Sequence, residues 1–131
     1  TNSIDKFSMS TTSAPLRAGY NAAVAKILDQ NMTKIEKRNL ELSSILKQAL
    51  TSVEGVNVLS PLDGSECSAL TTFKMDGVDS NKATSKLWKN DKIVVRAIES
   101  QKAIRVSTAF FNTEDEIQKL VDAIKQLSKK G

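Results

Sequence analysis

The stretch "IRVSTAFFNTEDEI", from Ile104 to Ile117, decides the fold because it contains both a strand and the start of a helix. Ile104 and Val106 alternate with Arg105 and Ser107, as in a strand with one apolar and one polar face. Thr113 and Glu116 have the spacing of a capping box, which satisfies free N–H groups at a helix start. An apolar stripe at helical spacing follows, formed by Ile117, Leu120, Val121, Ile124 and Leu127.

The same patterns run back along the chain and predict the order helix, helix, strand, strand, helix, strand, strand, helix. Pro15 suits the first turn of the first helix, Asn31 and Thr33 separate it from the second, and Gly55 ends the second. Asp79 is predicted to cap the third helix. The four predicted strands are "VNVLSP", "SALTTFKM", "KIVVRAI" and "KAIRVST". This order predicts an α+β fold, with an antiparallel or mixed sheet of about four strands and helices packed on one face.

Length and composition favour one domain of a soluble protein. The chain has 131 residues, and we expect a polar lead-in over residues 1–12 followed by a domain over 13–131. No apolar run is long enough to predict a membrane span, and the single cysteine favours a cytoplasmic location. The net charge of +4 comes from scattered lysines, so neither a nucleic-acid partner nor a membrane partner is predicted.

The chain lacks several kinds of catalytic chemistry. It has no histidine, which excludes Ser-His and Cys-His catalysis and an imidazole zinc site within this sequence. Neither a dinucleotide fingerprint nor a phosphate loop is present. The acidic residues gather at helix starts, where the helix dipole favours them, or on solvated faces. Cys67 is interpreted as a buried or half-buried structural thiol without a base beside it. We therefore predict neither a metal site nor a complete active site.

Arg105 is the remaining candidate, and two interpretations of it stand. It is either a solvent-facing arginine on the polar side of a sheet, or a planar donor pair that a rigid strand holds to bind a carboxylate. Arg96 in "VVRAI" is a weaker copy of the same pattern. Trp88, Phe110 and Phe111 are predicted to be core anchors rather than stacking platforms.

The segments "GVNVLSP", "SALTTFKMDGVD", "KLW", "KIVVRAI" and "AIRVSTAFFNTEDEIQKLVDAI" together resemble the C-terminal small domain of a class V aminotransferase. This pyridoxal-phosphate (PLP) family includes isopenicillin N epimerases and cysteine desulfurases, and the resemblance spans roughly residues 13–127. The isopenicillin N epimerase-like branch is the most similar, through a terminal pattern of Arg105, Ser107, Phe111, Asn112, Thr113 and Glu114.

The resemblance implies a role for each matching residue. Arg105 is expected to bind the α-carboxylate of an amino-acid substrate, while Asn112 and Thr113 end the strand and cap the last helix. Thr11 and Thr12, in "MSTTSAP", are candidates for a contact with the cofactor phosphate. The fold would be the small domain of a fold-type I PLP enzyme.

The resemblance also implies partners that this sequence does not contain. The full-length enzyme would be a homodimer with PLP and a large domain that carries the cofactor lysine. No lysine of this sequence lies in a recognisable cofactor-lysine context, so the chain alone is expected to bind no cofactor and to be inactive.

The sequence leaves the reaction open. The stretch "AIESQKAIR" contains no cysteine, which disfavours desulfuration by the usual route of the resembling family. Epimerisation, transamination and elimination all remain. The alternative function is a small basic binding module or a dimerisation domain without catalysis. For stacking on RNA the strands offer only Phe73, which alternates onto a mostly apolar face.

Overall fold

A computed structural model describes residues 13–129 of the chain, which divides into two compact units, residues 1–34 and 35–131. The described part of the first unit contains helix α1, Ala14–Asp29, with Pro15 in its first turn as predicted. Leu16 and Tyr20 of this helix are exposed.

Helix α2, Met32–Thr51, begins immediately after a break in the backbone. Asn31 takes a positive φ of 68°, and its side-chain oxygen accepts a hydrogen bond from the backbone N–H of Thr33 at 3.0 Å. Asparagine tolerates this left-handed conformation better than most residues, which explains why the first two helices separate here. The predicted break and new start are confirmed.

Four strands form one antiparallel sheet in the second unit. They are β1, Val56–Val58; β2, Leu70–Met75; β3, Arg96–Ile98; and β4, Ala103–Ser107. Their order across the sheet is β1-β2-β4-β3, and every neighbouring pair is antiparallel. The two central strands are therefore β2 and β4, and the second of these carries Arg105.

Two further helices pack in this unit, and both begin as the sequence predicted. Asp79 caps α3, Ser80–Lys86, by accepting a hydrogen bond from the N–H of Lys82 at 2.8 Å. Helix α4, Glu114–Ser128, starts with a complete capping box. Glu116 donates its N–H to the Thr113 hydroxyl at 3.3 Å, and Thr113 donates its N–H to the Glu116 carboxylate at 3.1 Å.

The hydrophobic core of this unit lies on one face of the sheet. Phe73 stands opposite Ile104 and Thr71 opposite Val106, so these side chains share that face. The helices cover it with the buried residues Leu42, Leu46, Leu50, Ala83, Leu87, Ile117, Leu120, Val121, Ala123 and Ile124. The prediction of an α+β layer with an antiparallel sheet and helices on one face is confirmed.

Two sequence predictions about this unit are wrong. Trp88 and Phe111, predicted to anchor the core, are 53% and 73% exposed, and the buried anchor beside Trp88 is Leu87. The strand predicted over Lys92–Ile98 begins only at Arg96. A π-helical turn over Leu87–Asp91 and the left-handed backbone of Lys92, with φ 59°, occupy the chain before it.

Within residues 13–129, no helix is both long enough and apolar enough to cross a membrane.

Candidate anion-binding site on the sheet

Arg105 lies in the middle of β4 on the face of the sheet opposite the core. Its flanking residues Ile104 and Val106 are buried against the helices, so alternation directs the arginine to the other side. Thr72 of β2 is its partner on one side and Arg96 of β3 its partner on the other. A polar row, Thr72–Arg105–Arg96, therefore crosses three strands.

The guanidinium of Arg105 lacks a protein partner among residues 13–129. The side chain is half-buried, and its Nε is shielded from solvent without a hydrogen-bond acceptor in this part of the chain. The ion pairs of the described residues involve Arg38 and Lys125 and do not include Arg105. The two terminal nitrogens of the guanidinium are not among the shielded atoms, so they remain open to an acceptor from outside the sheet.

The strand residues on this face make it electropositive. Lys74, Arg96 and Arg105 are cationic, and the face has no carboxylate of its own within the four strands. The residues that alternate onto it are Asn57, Leu70, Thr72, Lys74, Arg96, Ile98, Ala103, Arg105 and Ser107. This arrangement can bind an anion at the arginine row.

The segment after β4 fixes the end of this strand. The N–H of Asn112 donates to the Ala109 carbonyl at 2.8 Å, and the Asn112 side-chain oxygen accepts from the Ala109 N–H at 2.9 Å. The side-chain amide of Asn112 also donates to Glu116 at 3.0 Å. This hydrogen bond, and to a smaller extent the one from the Thr113 backbone N–H, lowers the pKa of Glu116. Asn112 and Thr113 thus close a turn and cap α4, as the sequence predicted.

An ion pair ties α2 to the start of α4. Arg38 donates to Glu114 at 2.7 Å and to Glu41 at 3.2 Å. The hydrogen bond from Arg38, and to a smaller extent one from the backbone N–H of Glu114 itself, lowers the pKa of Glu114 to about 2. The hydrogen bonds to Glu114 and then to Glu41 raise the pKa of Arg38. Sequence reasoning missed this contact, because 76 residues separate its partners.

A second contact absent from the sequence reasoning joins Lys47 to Cys67. Lys47 is 1% exposed, and its ammonium donates to the Cys67 sulfur at 3.6 Å. The thiol in turn donates to the Pro61 carbonyl at 3.4 Å. Cys67 is half-buried, which confirms the predicted burial of the thiol. It does have a basic side chain beside it, contrary to the sequence interpretation.

Other candidates contribute less to a site. Thr11 and Thr12 lie outside the described residues. Phe73 is fully buried on the apolar face where the sequence placed it, so it cannot stack on RNA. The part of the chain that the structure describes contains no group of three or more side chains arranged to hold a metal ion.

Comparison with known proteins places these features in a family. The family model described as Aminotransferase class-V matches residues 2–120. The isopenicillin N epimerase of Amycolatopsis lactamdurans is 30% identical over 99 residues, which are 73% of this chain and 25% of that protein. The chain therefore spans about a quarter of the length of this relative.

Solved structures share the fold. The cysteine desulfurase of Thermococcus onnurineus NA1, in its apo form, has a TM-score of 0.87 at 18% identity over 100% of this chain and 35% of its own. The cystine C-S lyase C-DES, in complex with its reaction product cysteine persulfide, has a TM-score of 0.79 at 22% identity over 91% of this chain and 31% of its own. A variant of C-DES has glycine covalently linked to its PLP cofactor.

The family match covers most of the sequence, and the fold agrees with that of the PLP enzymes. The chain belongs to the class V aminotransferase family.

Proposed function

We propose that this chain is the substrate-binding small domain of a PLP-dependent enzyme that acts on an amino acid, and that Arg105 binds the substrate's α-carboxylate. The observation that carries the proposal is the half-buried guanidinium of Arg105 in the middle of the sheet, which has no acceptor among residues 13–129. The family match and the solved relatives that are PLP enzymes support the amino-acid substrate class.

The chemistry of arginine fits a carboxylate at this position. The guanidinium is planar and offers paired N–H donors that match the two oxygens of a carboxylate. Arg105 lies on a central strand that pairs with a neighbouring strand on each side, so its side chain extends from a rigid backbone. A carboxylate held in this way orients the Cα of the amino acid, and orientation is a large part of the catalytic advantage.

PLP supplies an electron sink when it is bound to such an enzyme. The described residues fit the substrate side of that site, because a donor without an acceptor lies on an electropositive face. Thr11 and Thr12 remain candidates for the phosphate contact. A homodimeric, cytoplasmic enzyme with a separate large domain is part of the proposal, and the choice among epimerisation, transamination and elimination is left open.

The proposal is tested by the binding of a simple carboxylate to the chain itself. Butyrate is titrated at constant ionic strength into the ¹⁵N-labelled 131-residue protein, and the Nε–H resonance of Arg105 is followed by NMR. We expect a saturable shift. Because a charged hydrogen bond contributes about 1.5 kcal/mol or more, Arg105→Gln is expected to raise the Kd about tenfold.

Two variants serve as controls. Arg105→Lys keeps the charge but loses the planar donor pair, so its Kd should lie between those of the wild type and Arg105→Gln. Lys119→Gln removes a charge from the exposed side of α4 and should leave the Kd unchanged. Equal butyrate affinity in the wild type and in Arg105→Gln, with both folded by their amide spectra, would overturn the proposed role.

A further inference from the structure

We propose that Arg96 binds a second carboxylate, so that the substrate of the site is an amino acid whose side chain carries a carboxylate of its own. This inference rests on the proposed function, because it places the α-carboxylate on Arg105. It adds a specificity-determining residue and narrows the class of substrate.

The register of the sheet carries the inference. Arg96 of β3 stands directly opposite Arg105 of β4. Residues paired in this way point to the same face, with Cβ atoms about 5 Å apart. Two guanidinium groups therefore originate side by side on the face of the sheet opposite the core.

Two like charges in this position need an explanation. Directly opposed like charges destabilise a sheet, and the cost persists unless an anion or a carboxylate neutralises them. Within residues 13–129, neither arginine forms an ion pair, and Lys74 adds a third cation to the same face. A ligand with two negative groups relieves the repulsion better than one with a single negative group.

The two arginines differ in a way that assigns their roles. Arg105 is half-buried, with Nε shielded from solvent, whereas Arg96 is exposed on an edge strand. The half-buried guanidinium is suited to the carboxylate that every amino-acid substrate shares, and the exposed guanidinium to the part of the substrate that varies. A ligand whose two carboxylates are joined by a short carbon chain can contact both guanidinium groups, because the two arginine side chains start about 5 Å apart.

Paired ligands test the inference. Glutarate has two carboxylates and butyrate has one, with similar carbon chains. Each is titrated into the ¹⁵N-labelled protein at constant ionic strength, and the Nε–H resonances of Arg96 and Arg105 are followed separately. We expect butyrate to shift Arg105 alone and glutarate to shift both. Because the second ion pair is exposed, we expect glutarate to bind about fivefold more tightly than butyrate.

Variants of Arg96 decide the outcome. Arg96→Gln is expected to abolish the preference for glutarate over butyrate, while butyrate still shifts the Arg105 resonance. Arg96→Met gives a second uncharged variant if the first does not fold, and Lys119→Gln should keep the full preference.

The possible failures are distinguishable. If the preference for glutarate survives in both Arg96 variants, or is absent from the wild type, this inference is wrong while butyrate binding at Arg105 still supports the proposed function. If butyrate does not shift the Arg105 resonance, the proposed function and this inference both fail.

Discussion

At the scale of single residues, Lys47 has the least expected environment. Lysine is almost never fully buried without a charged partner, yet Lys47 is 1% exposed within the core side of α2. Its described hydrogen-bond partner is the Cys67 thiol at 3.6 Å, a weak acceptor. Ser43, one turn earlier on α2, is also buried, and its hydroxyl donates to the Ser68 carbonyl at 2.7 Å. The buried polar side chains of α2 therefore form hydrogen bonds with the loop that precedes β2.

Replacing Lys47 with methionine should stabilise the protein. Lys47→Met keeps a long unbranched side chain and removes an ammonium that is shielded from water, so we expect the free energy of unfolding to rise by about 1 kcal/mol. Urea denaturation followed by circular dichroism measures the change. Lys119→Met is the control on an exposed site and should change the value by less than about 0.5 kcal/mol. A loss of stability in Lys47→Met would show that the amine–thiol contact is net stabilising.

At the scale of elements, the first turn of α4 concentrates negative charge where the helix dipole favours it. Glu114, Asp115 and Glu116 all lie in this turn. Arg38 of α2 adds a cation at 2.7 Å from Glu114, and its guanidinium also reaches the Asn112 carbonyl at 3.5 Å. The start of the helix is thus joined to α2 as well as to its own cap.

The depressed pKa of Glu114 gives the protein a pH dependence with a definite sign. Its pKa falls from an ordinary 4.5 to about 2 in the folded state, so the unfolded chain binds a proton at a higher pH than the folded chain. The stabilisation is fully present above pH 4.5 and is lost as the pH falls towards 2. We expect the Tm to decrease over this window and Glu114→Gln to flatten the decrease.

Thermal unfolding at several pH values provides the measurement. Glu36→Gln removes an exposed carboxylate from α2 and serves as the matched control. An unchanged slope in Glu114→Gln would mean that the pair with Arg38 does not persist in solution.

Local patterns in the sequence predicted the elements well, because the responsible contacts are short in sequence. The capping box of Thr113 and Glu116, the Asp79 cap and the break at Asn31 each depend on side chains within three residues of their partners. The exposure of Trp88 and Phe111 was not predictable in this way. Apolar character gives the tendency to be buried, whereas burial depends on which face the tertiary packing covers.

The candidate site was only half predictable. Alternation in "AIRVS" placed Arg105 on the side away from Ile104, and the structure agrees. The pairing of Arg96 with Arg105 depends on the register of β3 and β4, which alternation does not determine. A usable signal was present, because the two arginines lie three residues before and three residues after the turn Glu99–Lys102. The Arg38–Glu114 and Lys47–Cys67 contacts have no comparable local signal.

At the scale of the whole molecule, the two faces of the sheet have different chemistry. One face packs against helices through Phe73, Ile104 and Val106, and the other carries Lys74, Arg96 and Arg105. The buried face holds the strands in place, so the cationic side chains have a rigid support. The domain supplies positions for anions and, on our proposal, depends on the rest of a longer enzyme for its cofactor.

This division predicts how the isolated chain behaves towards the cofactor. When PLP is added in excess and then removed by desalting, we expect the 131-residue chain to retain none of it. The reason is that no lysine of the sequence lies in a recognisable cofactor-lysine context. Absorbance spectra before and after desalting provide the measurement, and an equimolar amount of cofactor that stays with the protein would contradict the expectation.

The tight turn Glu99–Gln101, which ends at the left-handed Lys102, has a consequence for protein engineering and for natural variation in this segment. Side chains alternate along a strand, so a one-residue insertion that slipped β3 against β4 would reverse every side chain of β3. Ala97 would then leave the apolar layer, and Arg96 would enter it. A change of loop length that most surface turns tolerate would here bury the charge of Arg96 in the apolar layer.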